Sequence, residues 1–169
     1  MICPSCGNDN IEGSDRCEEC MTPLYNVGGP RSDTTEGLAR SVMEDNLSQL
    51  EQEFLGVGPA VAALDVIRKM KAARVGCALV LDSGRLVGIF TERDILNKLV
   101  GKDAVTESTA VKDLMSANPE TLQESDSVAT ALNKMSMGRY RHIPIQKSDG
   151  SYAVTSIKHV LKYIAKEEW

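Results

Sequence analysis

Residues 88–96, GIFTERDIL, join the end of an apolar run to the start of a charged, helix-forming one. Val87, Ile89 and Phe90 close a short buried strand, and Ile95, Leu96 and Leu99 supply the inner face of a following helix. Thr91 therefore stands at a strand-to-helix turn, where unpaired N–H groups and positive partial charge suit a phosphate. Gly88 lets a ligand approach the backbone closely. Asp94, one turn into the helix, is placed to accept two hydrogen bonds from a ribose diol. The same residues also make a plain helix cap, because Thr-x-x-acid is the capping-box pattern.

A second copy favours the ligand reading. When the sequence is shifted to lay Ala63 on Val128, the rest of that helix face, Val66, Ile67 and Met70, falls on Ala131, Leu132 and Met135. Under the same shift strand 77–81 falls on 142–146, the turn 82–85 on 147–150, and strand 86–90 on 151–155. Thr91 and Asp94 fall on Ser156 and His159. Agreement of a helix face, two strands, a turn and a hydroxyl at one constant offset predicts a duplicated unit.

A chain of 169 residues holds one main domain and a small accessory, and 42% hydrophobic with 25% charged residues is ordinary for a globular protein. No apolar run reaches membrane-spanning length, and the chain opens on a cysteine motif instead of a signal segment, so the expectation is cytoplasmic. The net charge of −5 is unevenly spread: residues 1–24 carry five acids against Arg16 alone, while 126–166 carry seven Lys or Arg against two acids. That balance suits an anionic small ligand on the second repeat and repels nucleic acid from the N-terminus.

Cys3, Cys6, Cys17 and Cys20 form two CxxC knuckles separated by ten residues, the spacing of a four-thiolate metal site. Residues 1–25 have little else to bury, so a staple is required for them to fold. Zn²⁺ is the default ion, with iron possible in a rubredoxin-like site; two disulfides are the alternative, which a reducing compartment opposes. Four protein ligands close the shell, so the ion supports structure. Residues 26–37 read as a linker, and 38–55 as an amphipathic helix with one stripe (Ala39, Met43, Leu47, Leu50, Phe54) that packs on its own domain or between two subunits. The fifth cysteine, Cys77, opens a buried strand and reads as core.

Helix, strand, strand, helix, twice over, with GIFTERDIL ending the first copy, YRHIPI (140–145) opening the strands of the second and DLMSANPETLQESDSVATALNKM (113–135) leading into it, closely resembles a tandem pair of CBS domains. The first 25 residues resemble the short zinc ribbons attached to prokaryotic regulatory proteins. The resemblance implies an α+β architecture of two βαββα motifs, here 56–110 and 111–169, related by a pseudo-twofold axis, beside a zinc-ribbon knuckle. It further implies clefts for adenosine-containing ligands (AMP, ADP, ATP or S-adenosylmethionine), pairing into a homodimer, and regulation of an unidentified partner protein without catalysis.

Carried onto this chain, Gly88, Thr91 and Asp94 match the family's ribose-phosphate pattern, Thr91 toward phosphate and Asp94 toward ribose, with Arg93 beside the phosphate. The resemblance places Cys77, Ala78 and Leu79 against adenine in the first copy, and His142, Ile143 and Pro144 in the second. There Ser156 keeps the hydroxyl, but Ala153 replaces the glycine and His159 the aspartate, and a neutral imidazole offers one acceptor where a carboxylate offers two oxygens. Lys158, His142, Arg139 and Arg141 suit a di- or triphosphate instead. An enzyme, an electron carrier built on a rubredoxin-like iron site, and a transcriptional regulator acting through the ribbon are the competing functions. No nucleophile beside a base is recognisable, and the acidity of the ribbon opposes DNA.

Overall fold

The computed structural model describes residues 2–11, 14, 16–24, 42–99 and 106–165. The linker at 26–37 lies outside them. The chain divides into two units, one comprising Gln52–Thr121 and the other Met1–Glu51 with Leu122–Trp169. No helix among the described residues is long and apolar enough to cross a membrane.

In the first unit, strand β1 (Leu55–Val57) leads to helix α1 (Ala63–Ala73), then to the hairpin β2 (Cys77–Asp82) and β3 (Arg85–Thr91), a short helix α2 (Glu92–Asp94) and strand β4 (Ser116–Ala117). The sheet order is β1-β2-β3-β4, with β1 parallel to β2 and the remaining pairs antiparallel. The second unit repeats the plan: β5 (Leu122–Gln123), α3 (Val128–Gly138), β6 (His142–Gln146), β7 (Tyr152–Ser156) and α4 (Ile157–Ala165), in a sheet of order β5-β6-β7.

The duplication extends to single hydrogen bonds. Glu92 N–H donates to Gly76 O at 3.2 Å, and at the matching positions of the second copy Ile157 N–H donates to Arg141 O at 2.9 Å. Helices α1 and α3 both end on an arginine in the left-handed region, Arg74 at φ 55° and Arg139 at φ 52°. Hairpin register is the same as far as Val80, Ala78↔Phe90 and Val80↔Gly88 answering Ile143↔Thr155 and Ile145↔Ala153. Equal length is accommodated differently in the two turns. The first has a tight loop, with Ser83 and Gly84 both at positive φ, and a bulge beside Val80 and Leu81; the second has a loop ending on Gly150 at φ 82° and an unbroken ladder. Each core carries the expected helix face, Ala63, Val66 and Met70 in one and Val128, Ala131 and Met135 in the other.

Two sequence expectations need correction. The amphipathic helix at 38–55 is not continuous: its described part is one helical turn at 42–44, extended backbone at Asn46, a 3-10 turn at Leu47–Leu50 and then β1. The backbone there bonds elsewhere. Val128 N–H donates to Asp45 O, Leu47 N–H donates to Asp126 O, and Asn46 bridges Ser127, so these groups are withdrawn from any helical ladder. Leu47 and Leu50 nevertheless pack on their own unit, within the core of the second repeat.

The second correction concerns Leu96, expected inside and found 66% exposed. After α2 the chain runs as a π-helix from Ile95 to Leu99, and the wider i→i+5 turn keeps Ile95 on the core while rotating Leu96 out.

The connector also packs differently from its place in the repeat. Residues 111–121 belong by contact to the first unit, where Val111 and Leu114 are buried and β4 extends the sheet. Leu47 and Leu50, from the segment that precedes β1, serve the core of the second repeat in the same way.

Candidate functional site

Three places gather the residues singled out by sequence. In the ribbon, each knuckle is held by the same pair of backbone bonds. Cys3 N–H donates to Asn8 O (2.8 Å) and Gly7 N–H to Cys3 O (2.9 Å); Cys17 N–H donates to Thr22 O (2.8 Å) and Met21 N–H to Cys17 O (2.9 Å). Both knuckles turn through positive φ, at Gly7 (74°) and Met21 (60°). The sequence supplies glycine only at the first.

Buried Asn10 ties the knuckles together, its Oδ1 accepting from Glu18 N–H at 3.0 Å and its Nδ2 donating to Asn8 O at 2.8 Å. As a result the four sulfurs lie within 4.8 Å of one another, with Cys3–Cys20 at 3.6 Å and Cys6–Cys17 at 3.5 Å. A tetrahedron with Zn–S bonds of ~2.3 Å has edges of ~3.8 Å, so this donor set fits a tetrahedral metal ion. Ile2, Ile11 and Met21 are exposed, which leaves Cys3, Cys17 and Leu24 as the ribbon's small core. The first knuckle is bonded to α3, Thr130 Oγ1 donating to Ser5 O at 3.1 Å.

At the end of β3, Thr91 caps α2 as expected. Its Oγ1 accepts from Asp94 N–H, and Asp94 Oδ2 accepts from Thr91 N–H at 2.9 Å and from Thr91 Oγ1 at 2.7 Å, a complete capping box. The other oxygen, Oδ1, accepts from Lys98 Nζ at 2.8 Å and Ser116 Oγ at 3.1 Å. Burial alone would raise the Asp94 pKa, but the bonds from Lys98 and Thr91 and the ammonium charge outweigh it and hold it below the ordinary 3.8. The carboxylate is therefore ionised at neutral pH although its side chain is only 7% exposed.

Lys98 and Ser116 were not among the residues singled out by sequence. Lys98 follows Asp94 by four, the spacing of a helical ion pair, and was legible on that ground. Ser116 was not, since only the pairing of β4 with β3 brings it across 22 residues.

The remaining first-copy residues divide by burial. Arg93 is exposed. Cys77 and Ala78 are buried in β2, and burial together with the Glu92 charge pushes the Cys77 thiol up to about 12, so it is inert. At Gly88 a Cβ would stand 2.1 Å from Met115 Sδ, so in this structure the missing side chain admits Met115.

In the second copy Ser156 Oγ and His159 Nδ1 lie 2.9 Å apart, and His142 pairs in register with Ser156 as Cys77 does with Thr91. Ile143 and Pro144 are buried, His142 is partly exposed, and Lys158 is exposed. The His159 pKa lies below the ordinary 6.5, because burial opposes the charged ring and Lys162 and Lys158 repel it. A histidine depressed in the folded state contributes stability that is complete above its unfolded pKa and is lost as pH falls toward the folded one. Two outcomes are expected: the His159 ring proton titrates below pH 6.5 by NMR, and chemical denaturation shows a decline in stability below that pH which is reduced in His159→Gln.

The model of the family described as CBS domain matches residues 52–101 and again 111–166. The CBS domain-containing protein CBSCBSPB5 of Arabidopsis thaliana is 30% identical over 138 residues, 79% of this chain and 25% of that protein, so the chain spans about a quarter of its length. Among solved structures, a CBS-domain containing protein from Agrobacterium tumefaciens is 30% identical with a TM-score of 0.63, over 71% of this chain and 96% of its own. CBSX2 in complex with AMP, at 20% identity, shares the fold with a TM-score of 0.61 over 72% and 96% of the two chains. With the duplicated unit, its repeated hydrogen bonds and a family model that matches twice, this chain belongs to the CBS-domain family.

Proposed function

We propose that the protein is a regulatory sensor of adenosine-containing nucleotides, with ribose bound by the first repeat and the ribbon as a Zn²⁺-stapled docking module. The observation that carries this reading is the ionised, buried carboxylate of Asp94 one turn beyond the Thr91 hydroxyl. A carboxylate accepts a diol, and a hydroxyl at a strand-to-helix turn bonds a phosphate. The second repeat offers Ser156 and a neutral His159 with the Lys158 and Lys162 charges acting on it, which favours phosphate over ribose. Support comes from CBSX2, which was solved with AMP. The family resemblance further supports a regulatory and not a catalytic role, exerted on a partner protein. Association into a homodimer is part of the same proposal, and light scattering with and without AMP tests it.

A thermal-shift panel of AMP, ADP, ATP and S-adenosylmethionine tests the ligand. At least one is expected to raise the melting temperature progressively as its concentration passes Kd, corresponding to about 2.7 kcal/mol at a hundredfold excess over Kd. No shift with any of the four at millimolar concentration would sink the reading.

A further inference from the structure

Asp94 has no acceptor direction left for a ligand. An ionised carboxylate offers about four lone-pair sites, and four donors fill them: the Thr91 N–H and hydroxyl on Oδ2, and Lys98 Nζ and Ser116 Oγ on Oδ1. The two pairs differ in kind. Thr91 belongs to the capping box, so ejecting it would uncap α2. The donors on Oδ1 come from outside the cap, and the Lys98 side chain is 36% exposed, so water can take over its bonds when it is displaced.

Lys98 also holds the connector, donating to Leu114 O at 2.7 Å and Met115 O at 3.2 Å. It stands in the π-helical stretch Ile95–Leu99, a backbone irregularity concentrated at functional places. We propose that Lys98 and Ser116 form a latch that competes with ribose for Asp94 Oδ1, so that a diol arriving at Asp94 releases the connector at 114–116. This rests on the assignment of Asp94 to ribose made above. Lys98 and Ser116 are positioning residues, acting through Asp94.

The second repeat is tied at a different point. Tyr163, which the internal repeat lays on Lys98 as it lays Ser156 on Thr91, donates its hydroxyl to Asp45 of the lead-in segment. In the first repeat, by contrast, one side chain bonds both the site carboxylate and the connector.

The test compares adenosine with 2′,3′-dideoxyadenosine by calorimetry on the full chain, as wild type, Lys98→Met and Ser116→Ala. Hydrogen exchange is followed at the amides of 114–117. Loss of one competing charge-assisted bond is expected to tighten adenosine about tenfold in Lys98→Met and about threefold in Ser116→Ala, with dideoxyadenosine changed less than about twofold. Exchange at 114–117 is expected to accelerate when wild type is saturated with adenosine, and to be fast already in unliganded Lys98→Met.

A purely structural role would move both nucleosides together, and that result overturns the latch. So does adenosine binding that leaves exchange at 114–117 unchanged or slowed, while the ribose assignment survives. If wild type binds neither nucleoside, the ribose assignment falls and the latch with it. Should Lys98→Met fail to fold, Ser116→Ala and the wild-type exchange data decide.

Discussion

Chelation is expected to release one equivalent of metal from the purified protein and to unfold residues 2–24 while the two repeats stay folded. Among the described residues the ribbon's core is Cys3, Cys17, Leu24 and part of Cys20. Against the conformational entropy of ordering some twenty residues, such a core is far too small. Structural zinc in comparable modules supplies about 10–16 kcal/mol at pH 7, and that contribution vanishes with the ion. The repeats are held by their own cores, and the anchor from Thr130 to Ser5 is one hydrogen bond, with a net contribution of roughly 0.5–1.5 kcal/mol. Amide NMR and metal analysis read the outcome: collapse of ribbon resonances with those of 52–99 in place. A colourless sample containing zinc would end the rubredoxin-like alternative. A ribbon that stays folded under chelator, or cysteines found as two disulfides, would sink the metal centre.

Asp94→Ala is expected to lower stability by about 2–4 kcal/mol and to weaken adenosine binding tenfold or more. The substitution removes the acceptor of four hydrogen bonds at once and leaves an ammonium, two hydroxyls and an N–H to find water or other partners. Asp94→Asn keeps the shape and part of the bonding but not the charge, so it should lose less stability while still losing affinity. Urea denaturation and calorimetry on both variants separate the two effects. An Asp94→Asn protein that is stable and binds adenosine as wild type does would remove Asp94 from the site. The low pKa of Asp94 adds a sign: its stabilising contribution is present above the ordinary carboxylate value and is lost as pH falls below it.

The parts of this protein governed by near neighbours were legible in the sequence. Sulfur spacing in CxxC, the 3.6-residue periodicity of α1 and α3, the turn at Gly84 and the capping box at Thr91 involve residues a few positions apart, so backbone geometry alone links them. The constant offset between the two copies then carried the helix face, the hairpin and the hydroxyl to a second place. Periodicity misled where local preference lost to distant pairing. The stripe through Met43, Leu47 and Leu50 has helical spacing, yet the backbone at 45–47 is drawn into bonds with 126–128, and Leu96 turns outward on the π-helix.

From the sequence by itself came the duplication, the four-sulfur cluster and the hydroxyl-carboxylate pair at the end of β3. Only the tertiary structure decided which segment completes each repeat, that Met115 lies against Gly88, and that Lys98 and Ser116 occupy Asp94. The reason is physical: covalent spacing constrains contacts within about one helical turn, whereas a bond across 22 residues depends on a sheet register set by the burial of the whole core.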